Sequence, residues 1–280
     1  MVFLCLYRSK HLEKERKYKM CKTKEKVQKL RPIDDVFFEA LIKDKGVCEE
    51  ILRVILEDEK LEVLSVTPQS SIKNLYGRSV RLDAFCKLGT GAFCNIEVQK
   101  SDNDDHVRRV RYNASCITAN NTEVGADFIE VPDVTMIYIS TFDMFKKGKT
   151  IYHCKTVIEE TNDAVDNGLR EIYVNTAVND GSTIAELMEC FLQENIENKK
   201  FPLLSSRVWY FKNDEGGVNA MCKIVDDYAN EIADKRDVDN IKKLFRNGCS
   251  LEMVIASFTN LSEEIIKSIY DEVMVNKTLA

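Results

Sequence analysis

The sequence predicts an α/β fold, a mixed β-sheet flanked by helices with a C-terminal helical tail, and three observations carry that prediction. Apolar residues recur at helical spacing, then at every second position, then at helical spacing again, in the order helix, strand, strand, helix, strand. The two clearest alternating segments are joined by Lys87-Leu-Gly-Thr-Gly91, whose two glycines suit a hairpin connection. From about residue 216 onward only helical periodicity is left. The chain accordingly reads as a basic arm over 1–30, a core over 31–215 and a helical region over 216–280.

Charge sets the arm apart, since residues 8–31 hold 11 Lys or Arg against 3 Glu in a chain whose net charge is −6. Such an arm can grip phosphates or serve as a solvated helix. Arg31-Pro32-Ile33-Asp34-Asp35 ends it, and Asp34 or Asp35 can cap a helix marked by Val36, Phe37, Ala40 and Leu41. A second helix runs from about Val47 to Leu56, with Ile51, Leu52, Ile55 and Leu56 as its buried stripe. Ser79 to Cys86 and Ala92 to Lys100 are the paired strands, a helix covers 104–120, and Asp133 to Thr141 is a buried strand. Ile151 to Glu159 and Glu171 to Ala177 read as further strands, and Thr183 to Asn195 as a helix. In the tail, helices over 218–235 and 238–275 carry turn-and-cap signals at Asn247-Gly-Cys-Ser250 and Asn260-Leu-Ser262.

Several classes are excluded by composition. At 44% hydrophobic the chain can bury a sizeable core, yet its longest apolar stretch, around Val131 to Ser140, falls short of the roughly 20 residues of a bilayer-spanning helix. The apolar opening Met1 to Tyr7 has neither a preceding basic region nor a small-residue cleavage site, so it does not read as a signal peptide. Ten cysteines are scattered singly beside three histidines, which offers no zinc or Cys-x-x-Cys redox site and fits a reducing cytosol. Cys86 and Cys94 face each other across the hairpin and are expected to be core thiols.

Period two places the chemistry. Arg81, Asp83 and Phe85 share one face of the first strand, and Phe93, Asn95, Glu97 and Gln99 share one face of the second, while Val80, Leu82, Ala84, Cys86, Cys94, Ile96 and Val98 take the other. Pairing across the turn brings Asp83 and Glu97 together. Two carboxylates about 4 Å apart repel by roughly 4 kcal/mol at an effective dielectric of about 20. A shared proton or a Mg²⁺ offsets that, and the second solution suits phosphodiester hydrolysis, with Gln99 orienting a water or a phosphate oxygen. A polar alternating face is, however, also the ordinary mark of a solvated sheet.

Val80-Arg-Leu-Asp83-Ala-Phe followed by Asn95-Ile-Glu97-Val-Gln99 resembles the motif of the PD-(D/E)XK nuclease family transposases, the group with the Rpn-like recombination-promoting nucleases. Pro32 to Ile42 is similar to that family's opening helix, Arg109-Val-Arg-Tyr112-Asn-Ala-Ser115 to its post-motif helix, and Gly148-Lys-Thr-Ile-Tyr152-His153 to a later strand. Tyr173-Val-Asn175, Arg207 to Lys212, Glu215-Gly-Gly-Val218, Met221-Cys-Lys223 and the stretch from Gly248 to Ile265 resemble distal signatures of bacterial members.

The resemblance implies a restriction-endonuclease-like core and a Mg- or Mn-dependent DNA endonuclease of the bacterial cytosol or nucleoid, linked to recombination or mobile elements. It implies Asp83, Glu97 and the main-chain carbonyl of Val98 as metal ligands, with Gln99 where the wider superfamily has lysine. That departure leaves the general base open; Lys100 is adjacent, yet strand alternation points it to the other face unless a bulge re-aims it. The resemblance also implies an acid contributed by the first helix, a role open to Asp35 or Glu39. Arg109, with Arg108 and Arg111, is the expected phosphate contact; the alternatives are a solvated basic face or pairing with Asp102, Asp104 and Asp105. His106 is expected to be structural, and Trp209, Tyr210 and Phe211 to be packing. A net acidic body makes any DNA grip local and salt-dependent, helped by the arm, the Arg108–Arg111 helix or homodimerisation. The rival reading is a non-catalytic DNA- or protein-binding module that keeps the fold; action on RNA or branched DNA shares the same site.

Overall fold

A computed structural model describes residues 22–72, 79–103 and 105–278, so the first part of the basic arm and Asp104 lie outside the described residues. The chain divides into two compact units, up to Met221 and from Cys222 onward, and the division falls inside one helix.

In the first unit residues 22–29 are helical (α1). Val27 is fully buried and Thr23 nearly so, which makes this end of the arm a packed element. Helices α2 (Asp35–Ile42) and α3 (Lys45–Leu56) follow. Asp44 caps α3 by accepting from the main-chain N–H groups of Gly46 and Val47 at 3.0 and 3.4 Å. Asp34 stands at the N-cap of α2 without a side-chain cap bond. Its carboxylate accepts instead from the Arg31 N–H at 2.7 Å and from Lys100 Nζ at 2.8 Å.

The sheet has six strands: β1 (Val63–Ile72), β2 (Val80–Leu88), β3 (Phe93–Gln99), β4 (Val134–Ser140), β5 (Ile151–Cys154) and β8 (Leu169–Asn175), in the order β1-β2-β3-β4-β8-β5. Pairing is antiparallel for β1–β2, β2–β3 and β8–β5, and parallel for β3–β4 and β4–β8. The strand expected over 151–159 stops at Cys154. Thr156–Val157 (β6) leaves the sheet and pairs with Ala164–Val165 (β7) as a separate ribbon, closed by a turn in which Asn162 has φ +57°. Strand β1 was not anticipated; it is an edge strand of exposed and half-buried residues that tolerates Pro68, so neither apolar alternation nor freedom from proline marks it.

Helix α4 (His106–Asn121) connects β3 to β4 and covers one face of the sheet. Val110, Ala114 and Ile117 of α4 form a core with Val134, Met136, Tyr138 and Tyr173, and Val80 and Leu82 of β2, expected on the other face with Cys86, belong to this core as well. On the opposite face α3 sets Cys48 3.4 Å from Cys86, sulfur to sulfur. Cys86 and Cys94 are register partners and, like Cys48, free thiols. A three-layer arrangement results, completed by α5 (Thr183–Phe191) and α6 (Pro202–Asn213). Lys212 of α6 is almost wholly buried and donates to the carbonyls of Gln28 and Leu30 at 2.7 and 2.6 Å, which ties α1 to α6. Of the aromatic trio on α6, Phe211 is buried against Phe37, whereas Trp209 is 58% exposed and so not packing.

Helix α7 (Glu215–Arg246) is continuous across the break expected at 236–237, because Lys235-Arg-Asp-Val238 holds no glycine or proline to end it. In the second unit Ile241 and Phe245 of α7 pack with Val254 of α8 (Leu251–Ser257) and with Ile266, Ile269 and Val273 of α9 (Glu263–Thr278). Ser250 and Ser262 accept from the N–H groups of Met253 and Ile265, so both turn signals are helix caps.

Candidate active site

The site forms where β2 and β3 stop pairing. Their register runs Lys87 to Phe93, Cys86 to Cys94, Phe85 to Asn95 and Ala84 to Ile96, and one more step would set Asp83 beside Glu97. There side chains replace the ladder. Asp83 Oδ2 accepts from the Val98 N–H at 3.0 Å, and the Glu97 carboxylate accepts from the main-chain N–H of Asp83. The N–H and C=O of a strand residue point to the same side, so the Val98 carbonyl also faces the gap that Asp83 borders.

The polar face of β3 is no solvated surface. Asn95 is fully buried and Glu97 only 6% exposed, because α4 lies over them. Asn95 Nδ2 donates to Glu97 Oε1 at 2.7 Å and Asn113 Nδ2 of α4 donates to the same oxygen at 3.3 Å. The Asn95 Oδ1 has no hydrogen-bond partner among the described residues. Burial raises the proton affinity of Glu97 strongly, and the neighbouring Asp83 charge adds to it; Asp83 is raised by burial and by the charge of Asp35. Arg109 opposes both shifts with its positive charge while its guanidinium bonds Asp105 at 3.2 Å.

The other candidates are distributed as follows. Asp35, at the exposed start of α2, acts electrostatically on Asp83; Glu39, one turn on, is paired with Lys43 at 2.9 Å. Gln99 lies at the end of β3 and donates to the Ser101 carbonyl at 2.7 Å. Lys100 is paired with Asp34 at 2.8 Å. The three arginines part company along α4. Arg109 faces the carboxylates, Arg108 lines a cavity with Asp102, His106, Val107, Met144 and Lys146, and Arg111 lines another with Pro132 and Gly168 and acts on Glu171. His106 is buried, with Nδ1 2.6 Å from the Tyr138 hydroxyl and Nε2 3.1 Å from Asp102. Asn113 is the residue that sequence reasoning missed. Its one visible signal is the four-residue spacing from Arg109, which puts both on one side of α4.

Hard oxygen donors suit a hard cation. Among the described residues no group of three or more His, Cys, Asp or Glu is placed to hold a metal. Mg²⁺ characteristically takes one or two carboxylates and completes its octahedron with other oxygens. Asp83, Glu97 and the Val98 carbonyl fit that pattern, and a cation there would offset the desolvation and mutual repulsion that raise the proton affinity of both carboxylates.

A family model described as PD-(D/E)XK nuclease family transposase matches residues 33–189, while neither the curated proteins nor the solved structures include a match. The matched span runs from just before α2 into α5 and holds the carboxylate pair, the sheet around it and the helix above it. Its mixed sheet with helices on both faces is the arrangement of restriction-endonuclease-like folds. With more than half of its length matched, this chain belongs to the PD-(D/E)XK nuclease family transposases.

Proposed function

We propose that the chain is a divalent-metal-dependent endonuclease acting on DNA, with Mg²⁺ or Mn²⁺ held by Asp83, Glu97 and the main-chain carbonyl of Val98. The observation that carries this reading is the meeting of the buried Glu97 carboxylate with the half-buried Asp83 carboxylate, which bonds the Val98 N–H, at the point where β2 and β3 part. When bound, the cation would polarise a phosphoryl oxygen and acidify a water. Asn95 and Asn113 fix the Glu97 carboxylate by their bonds to Oε1. Arg109, tied to Asp105 but half-exposed, neutralises a phosphate brought up to the pair. Gln99 orients a water or phosphate oxygen once its bond to Ser101 is exchanged. Asp35 is the acid of α2 suited to assist, since Glu39 is engaged with Lys43.

A second reading, a DNA-binding module that has lost catalysis, is favoured by one observation: Lys100 is held by Asp34 and Gln99 stands in the lysine position. Plasmid nicking separates the two. The endonuclease reading expects supercoiled DNA to be nicked in millimolar Mg²⁺ or Mn²⁺ and not in EDTA, and Asp83→Asn and Glu97→Gln to stop it. Retention of full cutting by both variants would reject the site, and DNA binding without cutting by the wild type under any divalent ion would select the second reading.

A further inference from the structure

The segment between β4 and β5 begins beside the motif. The Thr141 N–H donates to the Gln99 carbonyl at 3.1 Å, its hydroxyl donates to the Lys100 carbonyl at 3.0 Å, and the Phe142 ring lies 5.1 Å from the His106 ring. Beyond it the chain folds into a tight turn around one carboxylate. Asp143 accepts from the N–H groups of Lys146 and Gly148 at 3.0 and 2.8 Å and from the Tyr152 hydroxyl at 2.7 Å. That hydroxyl in turn accepts from the N–H groups of Lys147 and Lys149 at 3.2 and 3.1 Å. Positive φ at Lys146 and Gly148 closes the turn.

A turn so heavily bonded for its size displays three lysines. Lys146, Lys147 and Lys149 are all exposed, and so is Arg108 across the cavity that Lys146 also lines. No carboxylate lies within ion-pairing distance of these four side chains among the described residues, in contrast to Arg109 with Asp105 and Lys100 with Asp34. Asp143, the acid nearest in sequence, is consumed by main-chain donors and Tyr152. Asp102, on the rim of the same cavity, is bonded to His106, so in a chain of net charge −6 this is a built cationic ridge with one acid at its edge.

We infer that the 142–150 turn and Arg108 form the two walls of a track for a nucleic-acid sugar-phosphate backbone, gripping the strand next to the phosphate presented to Asp83 and Glu97. The inference rests on the endonuclease reading for the identity of its ligand, but binding alone tests it. The full-length protein is titrated, in EDTA, into a fluorescein-labelled 30-base-pair duplex at several KCl concentrations, with anisotropy as the readout. Each phosphate contact contributes about 0.9 to the slope of log K against log [salt]. Neutralising K146Q/K147Q/K149Q together is expected to weaken binding at least tenfold at low salt and to flatten the slope by about 2 to 3. The control triple K45Q/K60Q/K87Q makes the same charge change at other exposed positions and is expected to leave the slope in place. Tyr152→Phe keeps every charge but removes the hydroxyl that ties the turn, so affinity should drop severalfold with the slope unchanged. The track is overturned by a slope equal to wild type in the loop triple, by equal losses in both triples, or by a wild-type protein that fails to bind the duplex. Failure of the nuclease reading shows elsewhere, as absence of metal-dependent nicking with binding intact.

Discussion

At the scale of single residues, the decisive fact is that Glu97 is buried beside Asp83 and carries two amide donors on one oxygen. Asn113→Ala removes one donor without touching a carboxylate, and loss of an outer partner of this kind typically costs about 10–100-fold in metal affinity. Calorimetric titration with Mn²⁺ should show that weakening; an unchanged affinity would show that Asn113 only packs. The two carboxylates also predict a pH dependence of the metal-free protein. Their proton affinities are raised in the folded state, so the native chain binds more protons than the unfolded one above the ordinary carboxylate range. The stabilisation is full below about pH 4 and is lost as pH rises toward about 8, on the order of a few kcal/mol. Denaturant midpoints should therefore fall over that range in EDTA. Glu97→Gln should remove most of the decline, and Mg²⁺ should restore stability to the wild type near pH 8.

Among elements, the hairpin was legible and its roof was not. Alternation in 79–86 and 92–100 and the glycines between them specify both strands, and hence that Asn95 and Glu97 share a face and that Asp83 meets Glu97. Whether that face meets water is decided by α4, whose packing on Val134, Met136, Tyr138 and Tyr173 is a long-range matter. The contact between α6 and α7 has a similar character. A Cβ on Gly217 would lie 2.1 Å from the Tyr210 carbonyl oxygen, so the second glycine of Glu215-Gly-Gly-Val218 is required by close backbone approach. Gly217→Ala is expected to destabilise by about 2–3 kcal/mol in equilibrium unfolding, while Gly216→Ala, whose Cβ meets only side-chain atoms, should cost clearly less.

For the molecule as a whole, charge is the property with the widest reach. For a net acidic chain, the proposed DNA grip would rest on local cationic surface, namely the half-exposed Arg109 with Arg108 and the lysines of the 142–150 turn. Lys212 illustrates the reverse arrangement. Burial lowers its pKa to about 8, and its ammonium serves the carbonyls of Gln28 and Leu30 in place of any ligand. Lys212→Met should leave those acceptors unsatisfied and lower unfolding stability by about 2–3 kcal/mol without changing nicking. A loss of DNA affinity larger than the stability loss explains would reassign that lysine.

Local information by itself determined the fold class, the pairing of the two strands, the caps at Ser250 and Ser262 and the two acids that meet, because period, turn chemistry and strand parity act over a few residues. Tertiary structure alone decided the rest. Lys100 is drawn to Asp34, 66 positions away; the amide of Asn113 reaches Glu97 from another layer; and a turn after β4 comes to lie beside the end of β3. Burial and charge compensation depend on which layers meet, and that is a property of the packed chain, which no short window of sequence contains.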